Sequence, residues 1–247
     1  TPERLQSIDE VNAEAVVMLK NEAPAGSTKK ILPLDIPSTG DYKVVIVGAW
    51  QTNMYTGLYS GPQTDNTNRI NIQQRIVNNI KEKNPNASVT FLTSYGNSTA
   101  ASSYTITDED KQTIANADVV IVVVGTGENY SREDGDRTSI AFPNGQATLI
   151  SNVGKLNPRT IAVMETCGPM QVSEFENDVA AILWSSYLGN RKVGFGDVIT
   201  GKVNPSGKLT DTWYKKVNDV GESDIPSIYD YDLFASEDKQ GSTYMYF

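Results

Sequence analysis

The chain has 247 residues, 38% hydrophobic and 21% charged, a balance that fits a folded domain with a buried core and excludes a disordered chain. Its formal net charge of −9 opposes binding to phosphate backbones and to anionic lipid, so neither nucleic acid nor membrane is expected as a partner. One cysteine and no histidine exclude an intrachain disulfide, imidazole-based zinc sites and Ser-His-Asp or Cys-His catalysis, which leaves acid–base chemistry to carboxylates, Lys, Tyr or a partner.

Leu5, Ile8, Val11, Ala15, Val16 and Leu19 recur at helical spacing and predict one amphipathic helix over 3–21. After a polar stretch, residues 43–48 form a short β-branched run ending in Gly48, the pattern of a buried parallel strand. Residues 50–67 are rich in Gly, Tyr, Asn and Thr without a period and read as a long loop. Ile70, Ile76 and Ile80 predict a helix, 88–93 a second strand, and 107–117 a short helix with acids in its first turn. Residues 118–125 are the clearest strand, followed by a charged loop over 126–141. A helix is predicted over 143–156 with Pro143 near its start, strands over 159–164 and 179–184, and a helix over 192–200. Beyond Gly201 little regular pattern remains, and no apolar run approaches the roughly 20 residues of a membrane span.

Strands alternating with helices imply an α/β, three-layer sandwich: a mostly parallel sheet of five to six strands with helices on both faces, in a single domain over 1–247. Ligands of such sheets sit beyond the carboxyl ends of the strands, where the loops 50–67 and 126–141 both begin.

The run from Gly125 to Arg137 holds four acids (Glu128, Glu133, Asp134, Asp136) and two arginines. A carboxyl held near apolar surface or other carboxylates has a raised pKa, which suits a general acid; the competing reading is a solvated surface loop. Gly125-x-Gly127 is half of a dinucleotide fingerprint, but the third glycine is missing and acids stand where phosphate would bind. Trp50, Tyr55 and Tyr59, set among glycines and hydroxyls, suit the faces of sugars, or pack as a loop over the sheet edge. Cys167, with no histidine to activate it, is expected to be a buried inert thiol. Nothing in the sequence forms an evident metal site. Asn86, Asn97 and Asn129 each open a glycosylation-type triplet, and an extracellular or periplasmic setting is favoured over others.

These pieces, in this order, resemble the second domain of glycoside hydrolase family 3. The resemblance begins at Glu14-Ala15-Val16-Val17-Met18-Leu19-Lys20-Asn21-Glu22 and Leu32-Pro33-Leu34, then takes in 44–48 and Tyr59-Ser60-Gly61. It is strongest from Ala117-Asp118-Val119-Val120 through Gly135-Asp136-Arg137-Thr138 to Pro143-x-x-Gln146. It continues through Ile182-Leu183-Trp184 and 201–209 and closes with Thr243-Tyr244-Met245-Tyr246-Phe247.

The resemblance implies an exo-acting, retaining β-glucosidase or β-xylosidase of polysaccharide degradation, without cofactor, acting on oligosaccharides or other β-glycosides. A (β/α)8 barrel would supply the Asp nucleophile and this domain the acid/base Glu, so the chain alone would be inactive. Two glutamates compete for that role. Thr126-Gly127-Glu128-Asn129-Tyr130 resembles a Ser-Gly-Glu-Gly-Tyr motif of β-glucosidases, whereas Glu133 stands three before Asp136 as in the Glu-x-x-Asp-Arg pattern of the xylosidase-like branch. The loop length favours Glu133. Asp136 and Arg137 are expected to brace the loop, and Trp50, Tyr55 and Tyr59 to contact sugar. The family's Gly-Gln-x-Gly-Gly turn stands here as Gly189-Asn190-Arg191-Lys192-Val193-Gly194, a departure. A second class of function, a carbohydrate-binding or interaction module that never pairs with a barrel, is suggested by the aromatic loop.

Overall fold

A computed structural model describes residues 1–57, 59–60, 67–135 and 137–215. Among the described residues, six strands form one sheet in the order β1-β6-β5-β4-β2-β3. They are β1 (Val17–Asn21), β2 (Lys43–Val47), β3 (Ser88–Leu92), β4 (Val119–Gly125), β5 (Thr160–Glu165) and β6 (Ala181–Ser185). All neighbours run parallel except β1, which pairs antiparallel with β6 at one edge. The expected α/β sandwich is therefore present, with the sheet at the upper end of the expected strand number.

Burial explains which runs became central strands. Every residue of β4, β5 and β6 is buried, and near-continuous apolar runs are what a parallel strand covered on both faces requires. The edge strand β3 mixes exposed and half-buried residues and buries none fully. Successive side chains point to opposite faces. Ile46, Ile121, Val163 and Leu183 meet Ile76 and Ile80 of α2 (Ile72–Lys83) and Phe195 and Ile199 of α5 (Gly194–Thr200) on one face. Val45, Val120, Val122 and Ala162 meet Ile114 of α3 (Asp108–Ala115) and Leu149, Ile150 and Val153 of α4 (Gln146–Leu156) on the other.

The predicted helix over 3–21 is corrected. α1 spans Pro2–Glu14, and Val17–Asn21 is strand β1. Of the residues that extend the helical spacing, Ala15 caps α1 and only Leu19 lies in β1, and pairing with the open edge of β6 satisfies backbone groups that a longer helix would leave along that edge. Nor is the apolar stripe the face that packs: Asn12 and Ala13 are buried, while Ile8 and Val11 are 44% and 67% exposed. α1 instead lays its backbone against α5, where a Cβ on Gly194 would lie 2.2 Å from the Asn12 carbonyl oxygen. The start of α4 also differs slightly, with Pro143 in the turn ahead of the helix and Gly145 as its left-handed N-cap. No helix among the described residues is long and apolar enough to cross a membrane.

The chain passes from β2 outward to β3 and then returns to place β4 on the other side of β2. This reversal makes a switch point between β2 and β4, the place in open parallel sheets where loops diverge and leave a crevice.

At the opposite end of the sheet Tyr42, 5% exposed, precedes β2. Burial pushes its phenol up to about 12, with Arg159 opposing the shift and Asp118 adding to it. The ordinary tyrosine value is about 10. A group raised in the folded state contributes its stability in full below pH 10 and loses it as the pH climbs through about 12. Unfolding free energies from denaturant titrations over this range should therefore fall, by on the order of 2 kcal/mol after allowance for partial solvation. Most of that slope should be absent in Tyr42→Phe; an equal slope in the variant would place the titration elsewhere.

Candidate functional site

The site is built at the switch point. Gly48 follows β2 with φ +110°, and a Cβ there would lie 2.2 Å from the Val123 carbonyl oxygen, so only glycine lets the chain turn this close to β4. A 3-10 turn, Ala49–Thr52, follows and lays the Trp50 indole over the exit of β4. A Cβ on Gly125 would come within 2.2 Å of the ring, and one on Gly127 within 3.5 Å. The ring thus lies flat against the root of the charged loop.

Beneath it is a buried charged network. Trp50 Nε1 donates to Glu165 Oε2 at 2.8 Å. Lys192 Nζ donates to both Glu165 oxygens, at 2.6 and 2.5 Å, and to the Tyr55 carbonyl at 2.8 Å. The Leu188 amide donates to Glu165 Oε1 at 3.0 Å. Both charged side chains are 0% exposed. Burial lowers the Lys192 pKa, and the facing Glu165 carboxylate opposes that shift. On the far side of β4, Gln146 closes the backbone of Gly125, accepting from its amide at 3.1 Å and donating to its carbonyl at 3.0 Å.

The charged loop leaves β4 and forms a tight hairpin in which Arg132 and Gly135 exchange backbone hydrogen bonds of 3.2 and 3.1 Å. Glu133 and Asp134 sit exposed at its tip. The Tyr130 hydroxyl lies 2.9 and 2.8 Å from the carbonyls of Ser139 and Ala141, fixing the loop's middle. Arg137 Nη1 donates to the Pro169 carbonyl at 2.5 Å, tying the loop to the segment after β5. Asp136 lies outside the described residues, as do 61–66 and the closing motif 243–247.

The two candidate glutamates belong to different clefts. One cavity, about 510 Å³, is lined by Trp50, Asn53, Tyr55, Asn97 and Glu128 among others. A second, about 650 Å³, is lined by Tyr55, Tyr59, Arg132, Glu133 and Tyr187, with Cys167 in its wall. Tyr55 is the partition, its ring edge-on to Tyr187 with centroids 4.8 Å apart. Burial raises the Tyr55 pKa, and the Glu128 and Cys167 charges add to it. Tyr59 is 76% exposed and donates its hydroxyl to Glu133 Oε2; that bond is the main cause that holds its phenol above the usual value. Burial likewise raises Tyr187.

Trp50, Tyr55, Tyr59, Glu128, Glu133 and Arg137 are therefore gathered at one end of the sheet. Trp50 presents less of itself than expected, since its indole nitrogen and one face are already engaged. Cys167 is half-buried rather than enclosed, with its amide donating to the Thr126 hydroxyl at 3.3 Å. Among the described residues, no group of three or more acids or cysteines is placed to hold a metal ion. Glu165 and Lys192 escaped sequence reasoning. The signals were a lone acid closing an apolar strand, and a lysine inside a run where glycine was expected.

The chain matches the Glycosyl hydrolase family 3 C-terminal domain over residues 16–246. It is 26% identical to a probable beta-D-xylosidase 7 of Arabidopsis thaliana over 81% of this chain and 24% of the relative. It is 28% identical to thermostable beta-glucosidase B of Acetivibrio thermocellus over 83% of this chain and 26% of that protein. The chain thus spans about a quarter of the length of the curated relatives it matches. The crystal structure of a family 3 beta-glucosidase from Bifidobacterium adolescentis superposes with a TM-score of 0.70 at 24% identity, covering 93% of this chain and 31% of that one, a likeness of fold. With the motifs in order, the sheet topology and a family match across nearly its whole length, the chain belongs to the glycosyl hydrolase family 3 C-terminal domains.

Proposed function

We propose that this chain is a single domain that supplies the acid/base carboxylate of a retaining, exo-acting β-glucosidase or β-xylosidase, with Glu133 in that role. The nucleophile is an Asp on a (β/α)8 barrel of the same parent protein. The observation that carries the assignment is the placement of Glu133: at the tip of a braced hairpin, over the cleft walled by Tyr55, Tyr59 and Tyr187. A retaining mechanism needs two carboxyl groups about 5–5.5 Å apart, one protonating the leaving oxygen and later activating water, the other attacking carbon. A carboxyl on a projecting tip can approach a nucleophile held on another body. Tyr59 occupies Oε2 and leaves Oε1 to carry the transferred proton. Glu128, in the neighbouring cleft with Trp50 and Asn97, is the competing acid.

Hydrolysis of aryl β-glucoside and β-xyloside by the chain, by the matching barrel and by their mixture tests this reading. Activity confined to the mixture is expected. Turnover by the chain alone would mean that it holds its own nucleophile. Sugar binding by the chain with no activity in the mixture would favour a carbohydrate-binding module.

A further inference from the structure

We propose that the buried Glu165–Lys192 pair is a positioning device for the acid/base loop, pinning the Trp50 indole against the loop's root and so setting where the carboxylate is presented. The pair is 0% exposed, so it acts through other groups and touches no sugar itself. It joins three segments that meet at the mouth of the sheet. Glu165 closes β5, Lys192 precedes α5, and the loop after β2 contributes the Trp50 N–H and the Tyr55 carbonyl. The Leu188 amide, in the same connection between β6 and α5 as Lys192, adds a second hold from that segment. Each of the three ammonium donors has an acceptor, and each carboxylate oxygen accepts two hydrogen bonds. The indole so held fills the space above Gly125, where even a methyl group would overlap it. A swing of the ring toward β4 would therefore press on the residues from which the loop departs, and a swing away would uncover them.

Energetics argue that position is what the pair provides. Two buried charges contribute little to stability relative to apolar side chains of the same volume, because desolvation offsets their attraction. An apolar pair would fill the core equally well but could not hold the indole nitrogen or the Tyr55 carbonyl. Burial lowers the Lys192 pKa, against which Glu165 acts.

The kinetic part of this inference rests on the glycosidase reading; the geometric part does not. The test compares Glu165→Met/Lys192→Met with Glu165→Gln/Lys192→Met, each mixed with the barrel domain and each as the chain alone. The double-methionine protein should melt within a few degrees of the wild type. Its kcat should fall about tenfold or more, as small misplacements of a reacting group do, while KM moves less than about threefold. Amide hydrogen exchange over 126–135 should quicken. The Gln/Met protein, whose amide oxygen still accepts from Trp50, should recover most of the loss. Trp50→Phe, which keeps a ring but no indole N–H, should quicken exchange over 126–135 in the same direction, and that readout, which a lost sugar contact would not move, decides the matter should the double variant fail to fold. Wild-type kcat and exchange in the double-methionine protein, or equal losses with Gln/Met, would overturn the proposal. If the wild-type mixture hydrolyses neither glycoside, the glycosidase reading alone fails. Exchange in the isolated chain then still decides the pair's role, unchanged rates overturning it.

Discussion

Glu133→Gln should lower kcat of the reconstituted enzyme on an unactivated β-glycoside by about 10²–10⁴-fold, the range associated with loss of general acid–base catalysis. The amide keeps the size of the side chain and the bond from Tyr59, so the hairpin should hold its shape and KM should change little. The loss should shrink on aryl glycosides with good leaving groups. Departure of such a group needs less protonation, leaving mainly the water-activating half of the role impaired. Glu128→Gln should change kcat by less than about threefold, because its side chain opens onto the other cleft. Steady-state kinetics on the two substrate types checks both statements. A collapse with Glu128→Gln and near-normal turnover with Glu133→Gln would transfer the acid to the Trp50 cleft.

Glu165→Met alone should be far more damaging to the fold than the paired substitution. It strands the Lys192 ammonium, 0% exposed, with the Tyr55 carbonyl as its remaining acceptor among those above. Breaking one side of a buried pair costs about 3–5 kcal/mol, which in a domain of this size lowers Tm by roughly 10 °C or more. The deficit has a defined pH sign. Burial depresses the lysine pKa in the folded chain, so the unfolded state binds more protons between the depressed value and the ordinary lysine value of about 10.4. Stability of the variant relative to wild type should therefore rise with pH across that interval as the buried amine becomes neutral. Melts at pH 7 and pH 9.5 give the answer. A deficit that widens with pH would mean that Lys192 is not the group left unpaired.

The parts of the fold legible in sequence were those whose signal is local. β2 and β4 announce themselves because a strand covered on both faces needs an unbroken β-branched run, and 43–47 and 119–125 supply one. α3 was legible from Thr107 and the acids behind it, and the structure shows the Thr107 hydroxyl accepting from the Asp110 amide. The boundary between α1 and β1 was not legible, because a helix and an edge strand compete for the same few apolar residues and only the vacant edge of β6 decides between them. The site was visible as two loops at strand ends. Its division into two clefts was hidden, since Tyr55 divides them by meeting Tyr187, a contact 132 positions away in the chain. The Glu165–Lys192 contact spans 27 positions and leaves no periodic trace.

One length in the sheet acquires a meaning once the loop is seen as a projecting arm. Val47, the last residue of β2, lies opposite Val122, and β4 runs three residues further to Gly125. At about 3.3 Å per residue that overhang past β2 is roughly 10 Å, with β5 still paired alongside as far as Gly125, so the strand acts as a ruler that sets how far beyond β2 the loop begins. The ruler is graduated in pairs. Removing one residue would turn the loop's root to the opposite face of the sheet, and removing two would restore the face but retract the arm by about 6.6 Å. That retraction exceeds the whole separation that two carboxyl groups share across a glycosidic bond in a retaining enzyme, so on the acid/base reading of Glu133 such a deletion, besides taking two buried residues from the core, would leave the carboxylate out of reach.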